Sequence, residues 1–223
     1  MDNEYYLIAS TLCSRKKFTD DWSTSGSVYA GRLDLEKEYV EDFRPIYDGV
    51  YKNHGLTKTG KNEFLIAGEQ GIIKFSLSEK SQRKWKTDRI LDFPASDIAV
   101  CDIDGDGELE LGVIAPFHGE HFAIYKNRAG VWEKIYELPG MHEFGHAIFG
   151  GTINEESAFL VGFRAGKKEL LLIHRSETGG LEAIELDTEK GPANVAVVKG
   201  NNTDYICAAN RQSNCCSVYG IKK

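Results

Sequence analysis

Three aspartates separated by single residues are the part of this sequence whose spacing most directly predicts chemistry. Asp102, Asp104 and Asp106 lie in a turn with two glycines, and an apolar, strand-like run begins three residues later. Carboxylates at this spacing converge on one point, as the oxygen ligands of Ca²⁺ do. An EF-hand loop would place a glutamate at position twelve between helices, whereas here Glu110 stands at position nine. We therefore predict a structural calcium turn between two β-strands, completed by Glu110 and the backbone carbonyl of Glu108.

The segment 96–115, which contains this turn, resembles the FG-GAP/VCBS type of β-propeller repeat. The mark of that repeat is a D-x-D-x-D-G turn between the first two strands of a blade, and only this segment carries the full acidic motif. The resemblance covers about fifteen residues and implies a propeller, an implication that repeats elsewhere in the chain can test.

Repeats are present along the chain. Strand-like segments of similar composition start at positions 64, 112, 159 and 205, which are 48, 47 and 46 residues apart, and a related segment starts at position 6. Most are followed by two further strand-like segments, which is typical of propeller blades. We predict an all-β fold, a five-bladed β-propeller with up to four antiparallel strands per blade and incomplete first and last blades. The predicted units, in a single domain over 1–223, are 1–49, 50–94, 95–141, 142–190 and 191–223.

Composition excludes several classes of function. The net charge of −7 argues against nucleic acid as a partner, and no stretch approaches the length of a membrane span. No apolar segment follows Met1, and the five cysteines are odd in number and contain no C-x-x-C pair. These features favour a cytoplasmic protein with no membrane contact.

Four of the predicted units place a polar, ligand-capable residue at the start of their first strand. Because the first strand of a propeller blade is innermost, these residues are expected to ring the central axis and to bind a divalent transition metal such as Mn²⁺, Fe²⁺, Ni²⁺ or Zn²⁺. The alternative is a set of side chains that only hydrogen-bond water in the channel. The four residues are His54, Asp97, His146 and Asn194.

The turns between second and third strands open on the same face and supply a second set of polar residues. In that set the histidines could act as bases, and the arginines could hold an anionic or hydroxylated substrate. The residues are Glu69, His118, His121, Arg164 and Arg211.

A metal at such a site would polarise a carbonyl or carboxylate, chemistry that suits elimination or isomerisation of sugars. The chain is also loosely similar to the propellers of aldos-2-ulose dehydratases and sugar lyases, which implies a small keto sugar or sugar acid as substrate. We therefore predict a metal-dependent carbohydrate lyase, dehydratase or isomerase. One alternative is a non-catalytic sugar-binding or protein-interaction propeller, and another is a glycoside hydrolase using Asp97 and Glu69. Oligomers could form through the incomplete end blades.

Overall fold

A computed structural model of the chain describes residues 4–78 and 84–222. Among these residues there are eighteen β-strands and no helix, so none of them forms a helix long and apolar enough to cross a membrane. The strands form five sheets of three or four strands, and each sheet is an antiparallel meander of strands consecutive in sequence. The predicted all-β, five-bladed architecture is confirmed.

The sheets, called blades 1 to 5 below, follow one another along the chain. Blade 1 contains β1 (Tyr5–Ser10), β2 (Gly26–Asp34) and β3 (Tyr39–Val50). Blade 2 contains β4 (Gly55–Gly60), β5 (Glu63–Gly68), β6 (Gly71–Leu77) and β7 (Trp85–Leu91). Blade 3 contains β8 (Asp97–Cys101), β9 (Glu110–Ala115), β10 (His121–Arg128) and β11 (Val131–Glu137). Blade 4 contains β12 (Glu143–Ile153), β13 (Glu156–Ala165), β14 (Leu170–Arg175) and β15 (Leu181–Asp187). Blade 5 contains β16 (Pro192–Val198), β17 (Thr203–Asn210) and β18 (Cys215–Lys222).

The hydrophobic core lies between the blades. Four clusters of buried side chains join blade 1 to 2, 2 to 3, 3 to 4 and 4 to 5. In blades 2 to 4 the second strands are buried on both faces because each packs between two neighbouring blades. In β13, for example, every residue from Ala158 to Arg164 is buried. The burial of these second strands supplies most of the apolar contact that orders the blades.

Blades 1 and 5 differ from the others because each leaves one face open. Val198, Tyr205 and Val218 on blade 5 are 53%, 43% and 64% exposed, and Tyr5 and Leu7 on blade 1 are 50% and 45% exposed. No core cluster joins blade 1 to blade 5 in the part of the chain that the structure describes. The incomplete end blades therefore present apolar surface.

The register of blade 3 places its two candidate sites at opposite ends of the same strands. Asp97, at the start of β8, pairs with Ile114, whereas Cys101 pairs with Glu110 beside the acidic turn. Five extended residues separate these ends by roughly 13 Å. We call the end that carries Asp97 the axial face.

Candidate functional site

Three histidines from three blades meet on the axial face. His54 immediately precedes β4, His118 lies in the turn between β9 and β10, and His146 belongs to β12. Their ring centroids are 4.8 to 5.3 Å apart, and one ligand nitrogen from each lies within 4.8 Å of the others. We call this group the histidine triad. His54 and His146 belong to the predicted axial ring, whereas His118 comes from the predicted second set.

A shift of strand register aims His146 at the axis. Gly145 pairs with Phe163 and Ala147 pairs with Gly162, so His146 is the extra residue of a bulge in β12. Bulges re-aim side chains in this way, often next to functional sites. The equivalent extra residue in β16 is Ala193, whose carbonyl oxygen lies 2.9 Å from His146 Nδ1. Because a carbonyl can only accept, Nδ1 carries the proton, and Nε2 keeps its lone pair for a ligand.

Two phenylalanine rings stack on His118. The ring centroid of Phe117 lies 3.9 Å from that of His118, and the centroid of Phe144 lies 4.5 Å from it. His118 and Phe144 both have positive φ, at 50° and 60°. Non-glycine residues rarely adopt this conformation, so the backbone holds both side chains in place at some cost in energy.

The surroundings disfavour the protonated form of His118 and of His146. Burial, followed by the positive charges of protonated His146, protonated His54 and Arg164, lowers the pKa of His118 to about 4. Burial and then the charges of protonated His54 and Arg164 also lower the pKa of His146. Neutral imidazole is the form that binds metal, so these two side chains are ready ligands at neutral pH.

The triad fits a metal ion on the evidence of its own unpaired atoms. His54 Nδ1 and His118 Nε2 are buried and have no hydrogen-bond partner among the described residues. Asp97 Oδ2 lies 3.5 Å from His54 Nδ1, too far for a good hydrogen bond, while Asp97 Oδ1 accepts from the backbone N–H of Ile98. Buried polar atoms without partners are uncommon and call for a ligand or water.

The remaining predicted residues of the axial ring and second set are spread around the triad. Asn194 lies one residue beyond Ala193, the bulge position in β16. The strand pairing therefore aligns Asn194 with Ala147 and not with His146. The Asn194 amide oxygen accepts a hydrogen bond from the backbone N–H of Val195. Glu69 pairs with Lys52 at 2.9 Å, and His121 lies 3.7 Å from both Glu120 and Glu137.

Arg164 reaches the triad through Phe144. Its guanidinium carbon lies 4.6 Å from the centre of the Phe144 ring, and its Nε donates to Gln212 Oε1 at 3.1 Å. The side chain is only 7% exposed, and burial and then the charge of Arg211 lower its pKa. Arg211, in the turn after β17, is itself exposed.

A cleft of about 370 Å³ opens beside the triad. It is lined by residues of the His118 turn and of β12, including Glu120, Glu143 and Phe144. A larger cleft of about 610 Å³ lies near Glu108 and Trp132, towards the acidic turn. The smaller cleft is the better candidate site because His118, whose Nε2 is unpaired, lines it. Four residues of the site were not predicted from the sequence, namely Glu120, Glu143, Phe117 and Phe144.

The acidic turn is already in contact with a cation from the protein. Lys126 Nζ lies 2.6 Å from Asp104 Oδ2, 2.7 Å from Asp106 Oδ2 and 2.9 Å from Glu110 Oε1. Burial alone would lower the pKa of Lys126, but these hydrogen bonds outweigh it and the net shift is upward. Asp102 accepts from backbone N–H groups of the turn itself, and Glu110 is completely buried.

Comparisons with known proteins establish the class of fold. The chain resembles a proposed 6-phosphogluconolactonase from Bacteroides uniformis with a TM-score of 0.56 and 11% identity, covering 98% of this chain and 78% of that one. It resembles a glucose dehydrogenase with a TM-score of 0.52 and 11% identity, covering 99% and 78%. It also resembles a catalytically inactive variant of virginiamycin B lyase from Staphylococcus aureus, with a TM-score of 0.51 and 12% identity over 94% and 68%.

The structure and these likenesses define an all-β, propeller-like protein. The sequence matches no protein-family model and no curated protein. The FG-GAP/VCBS resemblance therefore stays a prediction, and identities of 11–12% carry the fold alone.

Proposed function

We propose that this protein is a metal-dependent enzyme that acts on a small carbohydrate, as a lyase, dehydratase or isomerase. The observation that carries the proposal is the histidine triad, whose unpaired nitrogens lie in a buried position beside a cleft. Three histidine ligands with an open fourth position are a known catalytic arrangement for zinc, and imidazole also suits iron and nickel. A manganese ion, favoured by carboxylate ligands, fits this donor set less well.

The chain's own residues have distinct roles in this proposal. The Ala193 carbonyl fixes the tautomer of His146, and Asp97 Oδ2 lies 3.5 Å from His54 Nδ1. A bound metal would polarise a carbonyl or carboxylate of the sugar and acidify the adjacent C–H bond. Glu120 lines the cleft and lies 3.7 Å from His121, so this pair is our candidate acceptor of that proton.

Two features favour a carbohydrate over other substrates. Phe144 lines the cleft and gives it an apolar ring, against which the C–H groups of a sugar can pack. Proteins with this fold also include one named as a glucose dehydrogenase, one as a proposed 6-phosphogluconolactonase and one as a lyase.

The proposal is tested by metal content and turnover in parallel. Protein purified without added metal and then loaded with zinc, iron, nickel or manganese should hold about one equivalent by elemental analysis. His54→Ala, His118→Ala and His146→Ala should each lose it, whereas His174→Ala, a change in β14 outside the triad, should keep it. Wild-type content in all three triad variants would contradict the metal site.

Turnover is then measured on keto sugars and uronates. Elimination should give an unsaturated product visible by ultraviolet absorbance, and isomerisation should appear in NMR spectra of the sugars. Metal binding without turnover on any of them would favour the sugar-binding alternative. Turnover that persists after metal removal would favour a glycoside hydrolase or another metal-free reaction.

Three further interpretations remain proposals. The acidic turn would bind Ca²⁺ in competition with Lys126. Measured calcium binding would support membership of the FG-GAP/VCBS type. The five unpaired cysteines fit a cytoplasmic location. The open faces of blades 1 and 5 would allow self-association, which sedimentation of the purified protein would reveal.

A further inference from the structure

Arg164 is a buried cation without an acidic partner. It is 7% exposed, yet no carboxylate of a described residue lies within ion-pair distance of it. The one charged group that shifts its pKa is Arg211, which lowers it. Leaving a buried charge uncompensated is costly, so proteins rarely do so without a function for the charge.

The Arg164 guanidinium is fixed in position but not saturated. Phe144 lies against its face, and Gln212 from blade 5 accepts from Nε. No hydrogen bond to its two terminal nitrogens is found in the described chain, and neither nitrogen is among the buried unpaired atoms. The two terminal N–H₂ groups therefore retain some contact with solvent, and they present the fork that binds carboxylate or phosphate oxygens.

Arg211 adds a second positive charge at the equivalent place in the next blade. Arg164 lies next to the last residue of β13, and Arg211 directly follows β17. Each comes one residue after the partner of the residue that precedes a bulge, so the two positions correspond. Gln212, the neighbour of Arg211, is the residue that holds Arg164. Two adjacent cations that repel one another are stabilised when an anion binds between them.

We propose that Arg164 and Arg211 form a receptor for the anionic group of the substrate, a carboxylate or phosphate on the sugar. That the substrate is a sugar rests on the proposed function; the new inference is that the substrate carries a negative charge. Phe144 links the receptor to the triad, since its ring contacts both Arg164 and His118, with centroids of the two rings 4.5 Å apart. A sugar acid or sugar phosphate anchored by the arginines would extend over Phe144 towards the histidines.

The test uses metal-stripped protein, so that binding does not depend on the triad. Isothermal titration calorimetry in about 0.15 M salt, where nonspecific attraction is screened, would compare D-glucuronate, D-glucose 6-phosphate and D-glucose. We expect at least one anionic sugar to bind at least tenfold more tightly than glucose. Binding of D-glucuronate would identify the anionic group as a carboxylate, and binding of D-glucose 6-phosphate would identify it as a phosphate.

Variants then locate the binding. Gln212→Glu keeps the size of the side chain and its acceptor for Arg164 but places a carboxylate in the receptor, so it should weaken anion binding at least tenfold. Arg211→Ala, at an exposed position, should weaken it several-fold. Arg128→Ala removes an exposed positive charge elsewhere and should change nothing. Thermal melts of each variant check that the fold is retained.

The inference is overturned if neither anionic sugar binds more tightly than glucose, or if Gln212→Glu and Arg211→Ala bind as the wild type does. Either result leaves the metal content of the triad untouched. Conversely, anion binding that is intact in a protein without metal affinity would refute the metal proposal and keep the receptor.

Discussion

The histidine triad and the acidic turn are both clusters that could hold a metal ion, and they differ in what already neutralises them. The triad consists of imidazoles with two unpaired nitrogens, and burial and neighbouring positive charge lower the pKa of His118 and of His146. The turn consists of carboxylates, and Lys126 donates to three acids around it. The comparison shows that converging ligand atoms are not enough to define a metal site. The internal counter-ion decides whether an external cation gains anything by binding.

The same comparison explains the burial of each cluster. Neutral imidazoles can be buried at modest cost, whereas the buried carboxylate of Glu110 requires a positive partner. Lys126 provides that partner from β10 at 2.9 Å. We therefore expect the turn to need a cation for stability and the triad to need one only for function.

The largest effect is expected from Lys126→Met. This change leaves Glu110, which is fully buried, without a counter-ion, and breaking a buried pair in this way costs about 3–5 kcal/mol. The free energy of unfolding, measured by urea titration in the presence of a calcium chelator, should fall by that amount. An excess of calcium should restore much of the loss, because the three carboxylates that contacted Lys126 then surround an unoccupied centre.

A second variant shows where the loss comes from. Lys126→Met combined with Glu110→Gln removes the buried negative charge and should recover most of the stability without calcium. If Lys126→Met lowers the free energy of unfolding by less than about 1 kcal/mol, the ammonium group is not the counter-ion of Glu110. The turn would then lack an internal counter-ion, as the triad does.

The next largest effect is stabilisation by added metal ions, which should differ between the histidine triad and the acidic turn. Zinc at about a hundred times its Kd should raise the free energy of unfolding by about 2.7 kcal/mol, and His146→Ala should abolish the increase. Asp104→Ala should leave the zinc effect intact but remove any stabilisation by calcium. Differential scanning fluorimetry with each ion and each variant gives both readings, and loss of the zinc effect in Asp104→Ala would refute the separation.

A smaller effect is expected from pH in the metal-stripped protein. The pKa of His118 in the folded protein is about 4, below the ordinary histidine value of 6.5. Between these values the unfolded chain binds a proton that the folded protein excludes, so stability should fall as pH decreases from 6.5 to 4. His146, whose pKa is also lowered, should add to the slope, while nearby Asp97 opposes it by favouring the protonated histidine.

His118→Gln provides the control for this pH dependence. Its stability relative to the wild type should be constant above about pH 7 and improve as the pH falls from 6.5 to 4, because the substituted side chain has no proton to exclude. Urea titrations at several pH values measure the difference. A difference that is constant over this range would show that His118 does not titrate as the structure indicates.

The fold could be predicted because a propeller repeats its pattern. Segments about 47 residues apart, with apolar second strands, were sufficient for five blades, and the acidic turn set the register of the third. The ends of the chain were harder, since three strands at each end fit more than one mode of closure. The exposed faces of blades 1 and 5 became visible only from the packing between blades.

The site was predictable to the level of a face but not of individual contacts. His54 and His146 align by repeat position, but a bulge decides which residue of a strand start turns inward, and Asn194 is one residue beyond it. His118 joins the triad through a turn with positive φ, which spacing does not reveal. Such local conformations depend on tertiary contacts rather than on sequence pattern.

The role of Lys126 could have been predicted from the sequence of β10. Phe122, Ile124 and Lys126 alternate along β10, and all three are buried. A lysine that continues an apolar, inward-facing series must meet an acid or lose its charge. The acids in reach were those of the turn, so the alternation in β10 predicts the counter-ion that the D-x-D-x-D motif alone does not.

The smallest expected effect comes from Arg175, the contact that blade 4 makes with the acidic turn. Its Nη1 donates to the backbone carbonyl of Asp104 at 2.8 Å in an exposed position. Exposed hydrogen bonds of this kind contribute about 0.5–1 kcal/mol, so Arg175→Ala should lower the free energy of unfolding by no more than that. Urea titration beside Lys126→Met would compare the two supports directly. If Arg175→Ala were the more damaging change, the turn would be held mainly by the neighbouring blade, and the contrast between a self-neutralised turn and an open histidine triad would no longer rest on Lys126.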